Sequence, residues 1–485
     1  MVQDQQDNTA IGPLQMSERR RLAAFMTVII AVVLEVADST IVNTALPAIR
    51  QALGASPAAM QWIVAGYLVA LGSLLLLGGR LGDALGHSRV FLWGVGGFVL
   101  ASALCGLAQD ATQLVLARIV QGAAGAFMAP QTMALVQLLY TPLERVTKLA
   151  YFGVIVGSAA IIGPIAGGLL IELDLFGLGW RTIFLINLPI GLGAIILGRM
   201  VLPQAEQLVE PRIDPFGALI FCCAFGGLLY AFIQGADRGW DLMLAALAAI
   251  VTILLALGWR RAKARRAAGL PSIIEPALFR IATFGWATCA GFAFSAGSIG
   301  FLLVFAVALQ QGLGLSALQT ALVHIPFGGG VMLGVGLLVP RLLPRMGKSL
   351  PLLGGVLMIA ATAAVLAMIA EGIGGGIALL AALALAGIGM GTVSGPLGPI
   401  VVAHIAREHA GTASATFRTA QQIGGALGIA LVGAAYFSVA ASDAASSRAG
   451  AIPAAFMVAA LLLLAVAGVA RLPRDLFGTP AANRG

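Results

Sequence analysis

The stretch LLLLGGRLGDALGHSRVFL, residues 74–92, joins two long apolar segments through a short polar turn. A second stretch, LLVPRLLPRMGKSLPLL, residues 337–353, follows the same plan. Each has an apolar end, an Arg, a short gap, a Gly, then polar or basic residues and a new apolar run. Transporters are often built from duplicated halves whose interface holds the substrate site. The two turns therefore predict a chain with two related halves.

The composition places these halves in a membrane. Of the 485 residues, 60% are hydrophobic and 10% are charged, whereas a soluble domain carries about a quarter charged residues. The mean hydropathy is +0.99. The apolar runs are continuous rather than alternating, which favours spanning helices over a barrel. We therefore expect an all-α polytopic membrane protein.

A helix needs roughly 20 apolar residues to cross the hydrocarbon core, and that length divides the chain into fourteen spans. Six precede residue 205, six follow residue 282, and two lie between them. The predicted spans are residues 23–47, 58–79, 89–108, 111–138, 148–171, 182–201, 214–235, 242–258, 283–310, 316–340, 349–370, 376–403, 411–437 and 450–470. The predicted domains are a cytoplasmic N-terminus (1–22), a six-helix bundle (23–204), two additional helices with a basic linker (205–282), a second six-helix bundle (283–472) and a cytoplasmic tail (473–485).

The charges support this count. If both termini are cytoplasmic, 22 of the 28 Lys and Arg residues lie on the cytoplasmic side and four lie outside. Such a bias is typical of cytoplasmic loops, and it explains the net charge of +8 without a nucleic-acid partner. The N-terminus lacks the apolar core and cleavage site of a signal peptide. The four cysteines lie in apolar segments, so no disulfide framework is indicated.

Two acids lie deep in the first apolar run, LEVADSTIVNTALPAI, residues 34–49. Glu35 and Asp38 are three residues apart and share a helix face, which we expect to line a cavity because lipid contact is costly. Two close carboxylates resist simultaneous ionisation, so one of them is expected to hold a proton near neutral pH. Such a site can exchange a proton for a cation. The alternative is a structural polar pair.

Three further ionisable residues lie within predicted spans. Arg118 is expected to face the bundle interior and to act on a nearby carboxylate, because an unpaired cation at that depth is costly. Arg418 can balance a proton site or contact an anionic substrate group. His324 can relay protons or be a hydrogen-bonded structural residue.

Several segments resemble the major facilitator superfamily. GGRLGDALGHSR resembles its loop signature, although Ala84 and His87 stand where the family usually has basic residues. LVLARIVQGAAGAFMAP resembles its fourth-span signature, and GVIVGSAAIIGPIAGGLL resembles the antiporter signature of the fifth span. The matching residues are Gly79, Asp83, Gly86 and Arg89 in the loop, Arg118, Gln121, Gly122 and Gly125 in the fourth span, and Gly157, Gly163, Pro164, Gly167 and Gly168 in the fifth.

Four more segments are typical of the fourteen-span drug:proton antiporters within this superfamily: residues 34–49, 180–191, 212–220 and 410–430. The resemblance implies two six-helix bundles plus two extra central helices, and export of lipophilic or cationic drugs, dyes and antiseptics in exchange for protons by alternating access. It implies that Asp83 acts as a latch and that the fifth span bends at Pro164. It makes Asp38 the subgroup's acid, whereas Glu35 is less usual.

These expectations define the functional hypothesis. The proton-motive force replaces a cofactor, and the partners are protons, a small-molecule substrate and the lipid bilayer of a bacterial inner membrane. A monomer is expected. One alternative is an exporter of a single metabolite or self-made antibiotic, with an anionic substrate favoured by Arg418. An intramembrane sensor fits less well, because no soluble output domain is present. An enzyme fits less well, because no HExxH, GxSxG or P-loop motif is present. The candidate cavity residues are Asn43, Trp62, Tyr67, Gln121, Phe127, Tyr230, Phe292, Phe294, His324, Arg418 and Gln422.

Overall fold

The computed structural model describes residues 16–203, 214–239, 241–270, 272, 274–406, 409–440 and 443–473. Most of both predicted tails lies outside the described residues. Part of the predicted segment 205–282 does too, including Arg212.

The described residues contain fourteen long helices and no strand. The helices are α1 (Glu18–Leu53), α2 (Pro57–Leu85), α3 (His87–Leu107), α4 (Ala111–Leu139), α5 (Pro142–Leu173), α6 (Gly179–Val201), α7 (Pro215–Arg238), α8 (Leu242–Ala267), α9 (Ala282–Gly312), α10 (Ala317–Met346), α11 (Ser349–Ala370), α12 (Ile377–Val402), α13 (Ala410–Phe437) and α14 (Ala451–Ala470). Thirteen are long and apolar enough to cross a membrane. The other, α5, has 32 residues, of which Gly157–Leu173 form a shorter apolar helix. Each predicted span coincides with one helix.

Polar caps set the points at which the apolar helices begin. A capping side chain accepts a backbone N–H that has no partner within the helix. At α5 the Thr141 side chain caps the backbone of Glu144, whose own side chain caps Thr141 in return, which is a capping box. Ser316 and Gln319 form a second capping box at the start of α10. Single caps precede five other helices: Ser17, Ser56, Asp110, Asp214 and Asp241.

The first and last six helices pack in the same pattern. In the first half α1 contacts α5 and α6, α2 contacts α4, and α3 contacts α4 and α6. In the second half α9 contacts α13 and α14, α10 contacts α12, and α11 contacts α12 and α14. The two repeated turns also correspond, because Gly86 (φ 95°) and Gly347 (φ 55°) both adopt the positive φ that glycine tolerates. The repeated packing is what a duplicated chain predicts.

The halves meet along two seams, α2 with α13 and α5 with α10. Helix α7 packs against both α2 and α13, so the additional pair α7–α8 covers the first seam. At the start of α7, the buried Asp214 carboxylate lies 2.8 Å from Arg261 and 3.4 Å from Arg265 of α8. These ion pairs hold the additional helices to each other.

The two ends of the bundle differ. We call the end that holds the start of α1 and the α2–α3 turn the basic face, and the other end the opposite face. Two hydrogen bonds between the halves lie at the opposite face, where Arg50 Nη1 donates to Gln311 Oε1 at 2.9 Å and Gln310 Nε2 donates to the Thr44 carbonyl at 2.9 Å. Both glutamines belong to a π-helical turn at the end of α9. The described residues form no such bond at the basic face.

Close helix packing in the second half depends on Gly428. A Cβ at this position would overlap the backbone of Ala296, so α13 approaches α9 only without a side chain there. We expect Gly428→Ala to lower the free energy of unfolding by about 1–3 kcal/mol, the usual cost of overpacking. Gly329→Ala is the control, because nothing lies within 4 Å of a Cβ there. The check is the thermal unfolding midpoint of the purified protein, and equal midpoints for both variants would contradict the packing argument.

Candidate functional site

The centre of the first half holds a buried ion pair. Arg118 Nη1 of α4 lies 2.5 Å from Asp38 Oδ2 of α1, and neither side chain is exposed. Arg118 Nε also donates to the Ile63 carbonyl of α2 at 3.1 Å. The prediction that Arg118 faces the bundle interior beside a carboxylate is therefore confirmed. Removing one partner of such a pair leaves an uncompensated buried charge, which is strongly destabilising.

Polar side chains from three other helices surround Asp38. Gln121 Nε2 and Asn187 Nδ2 donate to Asp38 Oδ1 at 2.9 and 3.0 Å. Both amides also donate to the Ser102 hydroxyl, at 2.8 and 3.2 Å. This network joins α1, α3, α4 and α6. Sequence analysis missed Ser102 and Asn187; the signal for Asn187 was its place in the subgroup segment 180–191, but Ser102 has no motif around it.

Tyr67 of α2 completes the buried site. Its ring centroid lies 4.3 Å from the Arg118 guanidinium carbon, a distance typical of a cation–π contact. The Tyr67 hydroxyl is buried without a hydrogen-bond partner among the described residues. Tyr67 also lies within electrostatic reach of Glu35. Its ring therefore packs on the ion pair, and its hydroxyl lies within electrostatic reach of both acids of α1.

The fifth-span signature packs directly on this part of α1. A Cβ at Gly163 would overlap Thr40 and Ala37, and one at Gly167 would overlap Ile41. Small residues let helices approach closely, and Pro164 lies between these glycines within α5. Across the interface, Gly168 packs on α10 in the same way. Gly157 differs, because nothing lies within 4 Å of a Cβ there.

Glu35 and Asp38 do not share one environment, which corrects the expectation that both line a cavity. Asp38 is 2% exposed and lies inside the polar network, whereas Glu35 is partly exposed. Positions three apart differ by about 60° around a helix, and here that angle separates the protein interior from the interface between the halves. Among the described residues no side chain forms a hydrogen bond or ion pair with Glu35. The charged groups that act on it are Arg418 and Asp38.

The second half contributes Arg418 to the interface. This residue is exposed although it lies within α13, and no described acid forms an ion pair with it. One turn on, Gln422 packs against Gly72 of α2, and Thr419 Oγ1 donates to the Gly72 carbonyl at 3.0 Å. Asn43, two turns along α1 from Glu35, has a buried Oδ1 without a partner among the described residues. Glu35, Arg418 and Gln422 are therefore the predicted residues that the structure brings to the interface.

The predicted aromatic residues do not form one cavity. Trp62 and Tyr230, with ring centroids 6.3 Å apart, line a cavity of about 650 Å³ between the first half and the additional helices α7 and α8. Its lining includes neither Glu35 nor Arg418. Phe127 lines a different apolar cleft beside Trp93.

The aromatic residues of the second half also differ in position. Phe294 is buried in the core, and Phe292 is partly exposed. His324 lies between the rings of Phe305 and Phe327, at centroid distances of 5.7 and 5.0 Å. No described residue forms a hydrogen bond with His324, and both of its predicted roles, proton relay and hydrogen-bonded structural residue, stay predictions.

The loop signature makes contacts within its own half. The half-exposed Asp83 carboxylate lies 3.9 Å from Arg80 and 3.8 Å from His87. Gln131 of α4 holds the loop against α4. Its Oε1 lies 2.8 Å from His87 Nδ1, and its Nε2 donates to the Gly78 carbonyl at 2.7 Å. In the described part of the chain, Asp83 has no partner in the second half. The described contacts of Asp83 thus stay within its own half, and its role as a latch stays a prediction.

The sequence model of the Major Facilitator Superfamily matches residues 28–429. The chain belongs to this superfamily. A probable actinorhodin transporter from Streptomyces coelicolor is 35% identical over 449 residues, which cover 91% of this chain and 76% of the relative. A tetracenomycin C resistance and export protein from Streptomyces glaucescens is 31% identical over 436 residues, covering 89% and 78%. A puromycin resistance protein from Streptomyces alboniger is 35% identical over 421 residues, covering 85% and 81%.

Solved structures agree with the fold of this superfamily member. A bacterial homologue of the human lysosomal transporter Spinster, in an inward-facing and occupied conformation, aligns with a TM-score of 0.66 at 16% identity, covering 96% of this chain and all of that one. The predicted fold of two six-helix bundles with additional helices is confirmed.

The buried ion pair can be tested by a double-mutant cycle. We expect Asp38→Asn and Arg118→Gln each to destabilise the protein by about 3–5 kcal/mol, because each leaves one buried charge uncompensated. The double variant should lose less than the sum, since no charge remains unpaired. Thermal unfolding of the purified variants measures the coupling. Additive losses would show that the two side chains do not act as a pair.

Proposed function

We propose that this protein is a secondary transporter that exports small lipophilic or cationic compounds in exchange for protons. The observation that carries the proposal is one partly exposed acid without an ion-pair partner among the described residues, Glu35, at the interface between two homologous halves. Superfamily membership supports transport, and the names of the relatives support export of antibiotics. The proposed transport uses only protons, a small-molecule substrate and the lipid bilayer, and the proton-motive force drives it in place of a cofactor. A monomer suffices, because one chain supplies both halves.

We place the basic face, with both termini, on the cytoplasmic side of a bacterial inner membrane. The support is the excess of Lys and Arg at that face, which is the usual pattern for cytoplasmic loops. In this orientation the Arg50–Gln311 and Gln310–Thr44 hydrogen bonds close the outer side. The absence of the Asp83 latch from the described contacts then fits a conformation that is open to the cytoplasm.

The proposed coupling rests on competition at Glu35. When ionised, its carboxylate attracts either a substrate cation or Arg418 across the interface. A proton or a bound cation removes that attraction, so the occupancy of Glu35 influences how closely the halves approach. Asp38 stays paired with Arg118 in this proposal, and Tyr67 connects the two sites. The resemblance makes Asp38 the subgroup's acid, but in this proposal Asp38 has a supporting role and Glu35 binds the proton.

Replacing the accessible acid gives a direct test. We expect Glu35→Gln to reduce uphill, pH-gradient-driven export at least tenfold, because the amide binds no proton. Its thermal midpoint should stay near that of the wild type, since no described hydrogen bond is lost. Export of a cationic dye from proteoliposomes with an imposed pH gradient measures this. Glu371→Gln, an exposed acid at the end of α11, is the matched control. Wild-type gradient dependence in Glu35→Gln would refute the role of Glu35.

A panel of substrates tests the function itself. The protein is expressed in a host that lacks its own efflux pumps, and dye efflux and growth inhibition are compared with and without a protonophore. The proposal predicts resistance and efflux that the protonophore abolishes. Unchanged resistance and efflux across cationic, neutral and anionic compounds would count against a drug exporter.

A second candidate function is export of one anionic metabolite or self-made antibiotic. It is favoured by Arg418, an exposed cation that has no ion-pair partner among the described residues. A guanidinium binds a carboxylate well because its donors match the two oxygens.

Arg418→Gln separates the two candidates. If the substrate is anionic, this variant should lose export of acidic aromatic compounds by at least tenfold, since the carboxylate loses its partner. Export of cationic dyes should then persist. Efflux assays with one acidic and one cationic probe provide the comparison, and loss of neither probe would exclude Arg418 from substrate binding.

A further inference from the structure

Helices α3 and α6 converge at the basic face and enclose a cleft. Leu92 packs against Gly198, and the Ser88 hydroxyl donates to the Pro203 carbonyl at 2.5 Å. Two cavities of about 150 and 380 Å³ lie beside this contact. Both are lined by Arg89, Leu92 and Arg199. The cleft therefore has two guanidinium groups at its entrance.

These two arginines lack the acidic partners that several other arginines have at this face. Arg21 pairs with Glu144, Arg261 with Asp214, and Arg266 with Glu275. Arg89 and Arg199 are exposed, and no described acid lies within ion-pair distance of either. Two like charges on one cavity repel each other unless an anion lies between them. Guanidinium groups bind phosphate oxygens in a bidentate manner, so a phosphate group fits this entrance.

The larger cavity continues from the arginines into an apolar groove. It runs over Trp93, Gly96, Gly97 and Ile195. Trp93 is 63% exposed, and tryptophan is enriched where membrane meets water. Nothing lies within 4 Å of a Cβ on Gly96, so the groove is open there. A ligand that fills both parts needs an anionic head and an apolar chain.

We propose that this cleft binds an anionic phospholipid, with its phosphate between Arg89 and Arg199 and one acyl chain along the groove beside Trp93. Free phosphate would satisfy the arginines but leave the groove empty, so we commit to the lipid. The bound lipid bridges α3 and α6. These helices carry Ser102 and Asn187, which belong to the network around Asp38, so the lipid supports this network from outside.

Native mass spectrometry of the full-length protein tests this site. The protein is reconstituted with equal amounts of phosphatidylglycerol and phosphatidylcholine and then released for measurement. We expect phosphatidylglycerol to be retained preferentially, and Arg89→Gln/Arg199→Gln to reduce its retention at least fivefold. Arg341→Gln/Arg345→Gln removes the same charge from exposed residues elsewhere on the basic face and should leave retention unchanged. Equal loss in both double variants would show a diffuse charge effect and overturn the proposal.

A second variant tests the groove without changing charge. Gly96→Phe places a ring in the open part of the groove and should also lower phosphatidylglycerol retention at least fivefold. Thermal unfolding with added inorganic phosphate separates the two anion sources: stabilisation by phosphatidylglycerol but not by phosphate is the expected result. Equal stabilisation by phosphate, or full lipid retention in Gly96→Phe, would overturn the assignment to a lipid.

Discussion

The buried pair of Asp38 and Arg118 is the constraint on which the first half depends. Neither charge is stable alone in a membrane interior, so each fixes the position of the other and of the helix that carries it. Gln121 and Asn187 then donate to the remaining oxygen of Asp38, and Ser102 accepts from both amides. This network holds α1, α3, α4 and α6 in register. On the other side of α1, the glycines of α5 allow contact at the same level. The half is thus organised around one carboxylate.

That organisation separates two roles that the sequence places on adjacent turns. Asp38 is occupied by protein donors, whereas Glu35 is left to the interface, facing the charge of Arg418. A transporter by alternating access needs a group whose occupancy changes and a scaffold that does not change with it. In the proposed mechanism Glu35 is that group and Asp38 belongs to that scaffold, both on one helix. The additional helices α7 and α8 add an asymmetry, because they cover the α2–α13 seam and not the α5–α10 seam.

Much of the architecture could be predicted from the sequence, since helix length, charge bias and the repeated turn each have a direct physical cause. The position of Arg118 followed from the cost of an unpaired cation. The different environments of Glu35 and Asp38 could not be predicted. Two residues three positions apart share a helix face, but the boundary between the protein interior and the interface can still run between them. Trp62 and Tyr230 were assigned to the substrate cavity because cations favour aromatic faces. Their actual neighbours are on α7 and α8, whose placement no residue pattern in the sequence indicates.

The central claim is that Glu35, and not Asp38, exchanges the proton. The most direct measurement is proton release when a transported cationic dye is added to the purified protein in weak buffer. The account predicts release in the wild type, no release in Glu35→Gln, and retained release in Asp38→Asn/Arg118→Gln. If proton release were undiminished in Glu35→Gln and lost in Asp38→Asn/Arg118→Gln, the account would be contradicted and Asp38 would be the proton-binding residue.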